Sequence, residues 1–185
     1  MPSRREAGVT LVELLTVIVI VAILMSIGVP SYRYVTTSNR VATESDALLG
    51  DLRAARSEAI REGQQVTVCI SKDGANCDIT TTPPSWQEGW IIFSNPDNGQ
   101  AVATKDPLLR VNKGFPSNGD TFQSSITTVN TINFSGEGFV NLGAASMVIE
   151  LKDSTGNSAY FRCVLIMQAG MMSVQTHTSD PTDCK

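Results

Sequence analysis

Glu13 stands alone in hydrocarbon. The stretch "GVTLVELLTVIVIVAILMSIGVP", residues 8–30, is apolar almost without interruption from Val9 to Val29, and the first basic residue after Glu13 is Arg33. A carboxylate in lipid is costly and marks function by default. Its partner must come from outside the local sequence. The second set of reactive side chains is four cysteines, Cys69, Cys77, Cys163 and Cys184. An even count points to two disulfides, and four thiols allow three connectivities. Zinc is the rival, but there is no C-x₂-C spacing and His177 is the sole histidine, so no metal site is read here. The segment "NPDNG" spaces Asn95 and Asp97 as calcium ligands would be spaced. Gly99 then takes a ligand position with no side-chain oxygen, which favours a hairpin turn. No nucleophile elbow or phosphate loop is present. His177 reads as a surface residue, and the chain reads as neither an enzyme nor a cofactor carrier.

The elements that must position these groups follow from periodicity. The 21 residues from Val9 to Val29, as a helix, span about 30 Å, the thickness of a bilayer core. Arg4 and Arg5 precede the apolar run and hold the N-terminus on the cytoplasmic side. A cleaved secretory signal would need small residues after the run, and Ser26 and Gly28 make a poor version of that site. Past Pro30, Val41, Leu48, Leu52, Ala55 and Ala59 fall at spacings of seven, four, three and four, one apolar stripe on a helix. Arg40, Glu44, Asp46, Asp51, Arg53, Arg56, Glu58 and Arg61 are assigned to the other face, with Arg40–Glu44 and Glu58–Arg61 spaced as helix-supporting pairs. Gly63 suits a left-handed cap. One helix is therefore expected from about Thr10 to Glu62, kinked or locally melted around Gly28–Pro30.

After Gln64 the period shortens. "QQVTVCIS", "GWIIFS", "PLLRV", "TTVNTINF", "ASMVIEL" and "AYFRCVLIM" read as strands, the last two as a hairpin across "DSTGN". Trp86, Trp90 and Phe93 are expected to fill the gap between sheet and helix. The class is α+β, a long kinked N-terminal helix packed on a β-rich C-terminal domain of antiparallel sheet. Four regions are expected: a cytoplasmic leader, 1–8; a transmembrane half-helix, 9–30; an amphipathic half-helix, 31–63; and a β-rich periplasmic or extracellular domain, 64–185. The net charge of −4 and pI near 4.9 argue against a general polyanion binder.

The segment "G-VTLVELLTVIVIVAIL" resembles the class III signal of type IV pilins and type II secretion pseudopilins. The resemblance implies cleavage by a prepilin peptidase between Gly8 and Val9, methylation of the new Val9 amine, and an assembly role for Glu13 as the fifth mature residue. The first mature residue is usually Phe in that family and is Val9 here. The physical counterpart is clear: cleavage creates an amine four residues before Glu13, and an amine and a carboxylate from neighbouring helices can pair inside an apolar bundle where either alone would be costly.

"LLGDLRAARSEAIREGQQVTVCISKDGANC", followed by "WQEGWIIFSNPDNG", further resembles the GspH/FimT group of minor pilins and pseudopilins. The match covers about half the chain. It implies the type IV pilin fold, a Cys69–Cys77 disulfide around the turn after the first strand, and a Cys163–Cys184 link that pins the C-terminus. It also implies a minor pilin of a type IV pilus, resident in the inner membrane before assembly and then carried in the fibre or at its tip. Other minor pilins, the major pilin and the prepilin peptidase are the implied partners. A GspH-type pseudopilin of type II secretion is the close alternative. A DNA-binding FimT-like pilin is the third. After Arg162, however, the C-terminal segment "QAGMMSVQTHTSDPTDCK" has only Lys185 as a cation, against Asp180 and Asp183, which counts against DNA capture there. Lys105, Arg110 and Lys113 form at most a small basic patch.

Overall fold

The computed structural model describes residues 8–96, 107–115 and 119–176. The chain divides into two units at Thr37/Ser38. Helix α1 runs from Leu11 to Glu62. Its start has a local cause: the Thr10 hydroxyl accepts the Glu13 backbone N–H at 3.2 Å, the bond of an N-cap residue to N3. Its end is a Schellman cap, with Gly63 at φ 63° and the Gln64 N–H returning to the Ala59 carbonyl at 3.2 Å. The turn around Gly28–Pro30 is helical, so the melted turn expected there is not present. Pro30 removes one donor from the ladder, and the turns on either side continue it.

In the first unit every described residue but Thr37 is exposed, including Val12, Leu15, Ile18, Ile23, Leu24 and Val29. The second unit buries the stripe of Val41, Leu48, Leu52, Ala55 and Ala59. Two antiparallel four-stranded sheets share that surface. The first has the order β3-β2-β1-β5, from β1 (Val66–Ile70), β2 (Trp90–Ser94), β3 (Leu108–Asn112) and β5 (Thr131–Phe134). The second has the order β4-β6-β7-β8, from β4 (Thr121–Ser124), β6 (Ser146–Lys152), β7 (Arg162–Met167) and β8 (Met172–Thr176). The α+β class holds. The β6–β7 hairpin pairs Ser146 with Met167 through Leu151 with Arg162.

Several local expectations are corrected. Thr127 to Asn130 lie outside β5, and Ser158–Tyr160 form a 3₁₀ turn before β7. Strands β4 and β8 had no clear signal. Trp86 and Trp90 do fill the core against α1, but Phe93 lies in a separate buried cluster with Cys69 and Ile91. The reason is the strand period of two: Trp90 and Ile92 face α1, so Ile91 and Phe93 face away.

The polar face of α1 also differs. Glu44 and Asp51 are buried at the flank of the stripe. Asp51 accepts Trp90 Nε1–H at 2.9 Å and Asn112 Nδ2–H at 3.2 Å, and pairs with Arg110. Arg40 makes a two-pronged bond to Asp120, both contacts at 2.8 Å. Glu58 and Arg61 do pair, and that pairing pulls the Glu58 carboxyl below its ordinary value.

Asp51 thus ties α1 to β2 and β3 through one buried carboxylate. Asp51→Ala leaves the buried Trp90 indole N–H without its acceptor, and is expected to destabilise the Ser38–Lys185 unit by about 2–4 kcal/mol. Thermal and urea unfolding of that unit would measure it; a loss under about 0.5 kcal/mol would mean that the indole finds water at no cost.

Candidate functional site

The N-terminal site is built from few atoms. Gly8 has open space around it: a Cβ there would meet nothing within 4 Å. Val9 is 70 % exposed. Glu13 lies at N3 of α1, in the first turn, where the helix dipole favours a carboxylate. Its backbone is engaged at both ends, the N–H by Thr10 and the carbonyl by the Thr16 hydroxyl at 2.8 Å. Among the described residues no cation or donor reaches its carboxylate. Thr-x-x-Glu, residues 10–13, is the spacing of a capping box, so Glu13 also suits the start of the helix. That local role leaves the side chain directed to whatever replaces solvent around the first turns.

The disulfide region is more elaborate. Cys69, in β1, and Cys77 form a disulfide with Cα atoms 5.5 Å apart. Cys77 packs on the Cys69–Ile91–Phe93 cluster, so the loop between the cysteines closes over the face of the first sheet away from α1. Two aspartates shape this loop. Asp73 accepts Asn76 Nδ2–H and the Asn76 and Ala75 backbone N–H groups, all at 2.8 Å. Those bonds hold its carboxyl far below the usual carboxylate range. Asp78 is lowered likewise, first by the Thr81 hydroxyl at 2.7 Å, then by the Thr80 N–H and hydroxyl, and by Lys72. Lys72 bridges Asp78 at 3.3 Å and Glu88 at 2.9 Å.

The remaining sequence candidates are dispersed. Cys163 is buried in β7, while Cys184 lies outside the described residues, as do His177, Asp97, Gly99, Lys105, Asp180, Asp183 and Lys185. Asn95 donates through Nδ2 to Thr67 Oγ1 at 3.1 Å and is buried. Arg110 pairs with Asp51. Among the described residues no three His, Cys, Asp or Glu side chains gather as a metal site would require.

One helix among the described residues that is long and apolar enough to cross a membrane, a carboxylate in its first turn and an antiparallel α+β head define a pilin-type subunit. The sequence pattern described as the prokaryotic N-terminal methylation motif matches residues 3–29, and that of type II transport protein GspH matches residues 44–170. The chain belongs to the GspH family of type IV minor pilins and pseudopilins. A fimbrial protein of Pseudomonas aeruginosa is 26 % identical over 131 residues, covering 70 % of this chain and 82 % of that protein. A second, also from Pseudomonas aeruginosa, is 29 % identical over 86 residues, covering 46 % and 55 %. The fold is similar to the crystal structure of the Pseudomonas aeruginosa type IV minor pilin FimU, with a TM-score of 0.60 at 21 % identity, covering 80 % of this chain and 96 % of that one. Members of this family are structural pilins and not enzymes. The methylation motif implies processing by a prepilin peptidase and assembly with other pilins. The apolar helix and the fimbrial relatives imply membrane anchoring before assembly.

Two outcomes follow for the disulfide loop. Replacing Cys69 and Cys77 together by Ser should cost about 2–3 kcal/mol, the loop-closure estimate for a ring of this size, read as a lower urea midpoint. Asp78→Asn should show a pH-dependent deficit. Because the folded Asp78 carboxyl lies below its ordinary value of 3.8, its contribution is complete at neutral pH and is lost as pH falls below that value toward the folded one. Urea midpoints of wild type and variant should therefore converge between neutral pH and about pH 2.5; a gap that widens on acidification contradicts the assignment.

Proposed function

We propose that this chain is a minor pilin of a type IV pilus. It is made in the inner membrane with its N-terminus cytoplasmic, cut between Gly8 and Val9, and methylated on the Val9 amine. It then joins the fibre, in an initiating or tip complex with other minor pilins and the major pilin. In this scheme residues 1–8 are leader, 9–30 cross the membrane, 31–63 complete the helix, and 64–185 form the outer domain. Cys69–Cys77 and Cys163–Cys184 are the two disulfides of that domain.

The observation that carries the reading is Glu13. It sits in the first turn of a helix whose described surface from Val9 to Val29 is exposed and almost wholly apolar, and no described residue pairs with its carboxylate. A neighbour's α-amine, created by cleavage four residues upstream, supplies the missing charge. The pair then tolerates an apolar bundle that neither ion would tolerate alone.

A GspH-type pseudopilin of type II secretion is the second reading, favoured by the pattern that matches residues 44–170. It uses the same helix chemistry. Gene neighbours distinguish the two: pilus assembly genes support the first, secretion genes the second. DNA capture has less support, since the described end of the chain, β7 and β8, offers Arg162 alone as a cation, and Arg162 bonds the Phe161 carbonyl and the Ser38 hydroxyl.

Glu13→Ala tests the assembly role. Removing a charge from an apolar helix leaves insertion unharmed or easier, and cleavage after Gly8 should persist. Incorporation into sheared fibres should fall by an order of magnitude or more against the membrane pool, with processing checked by mass. Normal incorporation would refute the pairing, and loss of cleavage would place Glu13 at the peptidase instead.

A further inference from the structure

A groove of about 710 Å³ lies between α1 and the β7–β8 hairpin. Arg53 and Arg56 line its helix side with Ile60, and Met167, Met171 and Met172 line the hairpin side. The walls are apolar and open to solvent: Ile60 is 50 % and Met171 59 % exposed. Gly138 packs against the helix side, where a Cβ on it would come within 2.8 Å of Ile60 Cδ1. Three methionines give a surface that can adapt to an incoming side chain.

The charge of the groove is the informative part. Arg53 and Arg56 are three apart on α1 and so project from one face. Arg53 donates to the Met172 carbonyl at 3.4 Å, and Arg56 Nε donates to the Gly138 carbonyl at 3.0 Å. Among the described residues neither meets a carboxylate, whereas Arg40, Arg61, Lys72, Arg110 and Lys152 each do. Arg56 is also held in place. Gly170, at φ 78°, lies so close that a Cβ there would be 2.6 Å from Arg56 Nε. In a chain of net charge −4, two uncompensated guanidiniums beside an apolar trough select for an occupant that is both acidic and aliphatic. Two cations without a stacking platform are a poor fit to nucleic acid, which needs several phosphate contacts.

We propose that this groove docks an acidic, aliphatic segment of a neighbouring subunit in the fibre, its carboxylates on Arg53 and Arg56 and an apolar side chain among the methionines. The inference rests on the minor-pilin reading and adds a contact made by the outer domain, separate from the Glu13 pairing.

The test uses the full chain at native level in the producing cells, with a benzophenone amino acid at Ser173, which lines the groove. Sheared fibres are irradiated and the crosslinked peptide is sequenced by mass spectrometry. The expected product joins Ser173 to another fibre subunit within a few residues of an Asp or Glu. Arg53→Glu should cut that product about tenfold or more, Arg53→Lys should keep most of it, and a Lys at the captured carboxylate should restore it to Arg53→Glu. Met171→Asp, at an exposed position, should also lower it while leaving the thermal midpoint unchanged, which separates docking from folding. A crosslink to residues 177–185 of the same chain, to lipid, to nucleic acid or to a segment without carboxylates overturns the proposal, as does an undiminished crosslink in Arg53→Glu. If the protein is in fibres but gives no crosslink, this proposal alone fails. If the unsubstituted protein is absent from fibres, the minor-pilin reading fails with it.

Discussion

Neither sheet could stand without the buried stripe of α1. Val41, Leu48, Leu52, Ala55 and Ala59 form one continuous core with Val68, Trp90 and Phe134 of the first sheet and Met147, Ile149 and Val164 of the second. Among the described strands none of one sheet is laddered to a strand of the other. Hydrocarbon packed on a common helix joins them, with a few bonds between flanking segments, such as the Val140 N–H to the Gln168 carbonyl at 2.9 Å. Ala55 and Ala59 are the small members of the stripe and Leu48 and Leu52 the large ones, all in one core with Trp86 and Trp90. The same helix is asked to do two things along its length: to lie bare to a hydrophobic solvent at one end, and to nucleate a water-soluble head at the other.

The polar bonds of the head then fix what the hydrocarbon leaves undetermined. Packing alone would tolerate a sheet that slides along the helix. Asp51 fixes β2 and β3 through Trp90, Asn112 and Arg110, and Arg40 fixes the approach to β4 through Asp120. Both are charge-assisted contacts with little room for displacement. The Cys69–Cys77 loop, held by bonds to two aspartates, covers the opposite face of the first sheet. Each device acts on a different edge of the same core.

Much of this was legible in the sequence, for identifiable reasons. The stripe showed itself because helical periodicity is long and repetitive, and the apolar run because it is unbroken. Strands β1, β2, β6 and β7 were visible as β-branched runs. Strand β4, "TFQS", was not: four residues with one apolar side chain carry no period, and the strand exists because Phe122 is drawn into the core. Strand β8 was read for its lack of charge and its pairing was overlooked. Asp51 and Glu44 were placed on the wet face on residue type alone. Their spacing said otherwise: Glu44 lies three residues after Val41 and four before Leu48, and Asp51 three after Leu48 and four before Ala55. The capping spacing of Thr10 and Glu13 was equally available. Phe93 was misplaced because its aromatic character outweighed the alternation that sets it opposite Trp90. The arginine groove was not legible, because it is assembled from a helix and a hairpin more than a hundred residues apart.

The bare first half of α1 has a consequence for traffic. Fully burying one large aliphatic side chain is favourable by about 1.5–3 kcal/mol, and more than a dozen such side chains there are uncovered. A subunit adrift in water would thus lie tens of kcal/mol above either of its resting places. No dissolved pool can bridge them. Subunits must be handed from lipid to neighbouring helices without a gap, so that hydrocarbon contact is exchanged side by side as the helix moves, and a subunit that lets go of its neighbours has only the bilayer to return to.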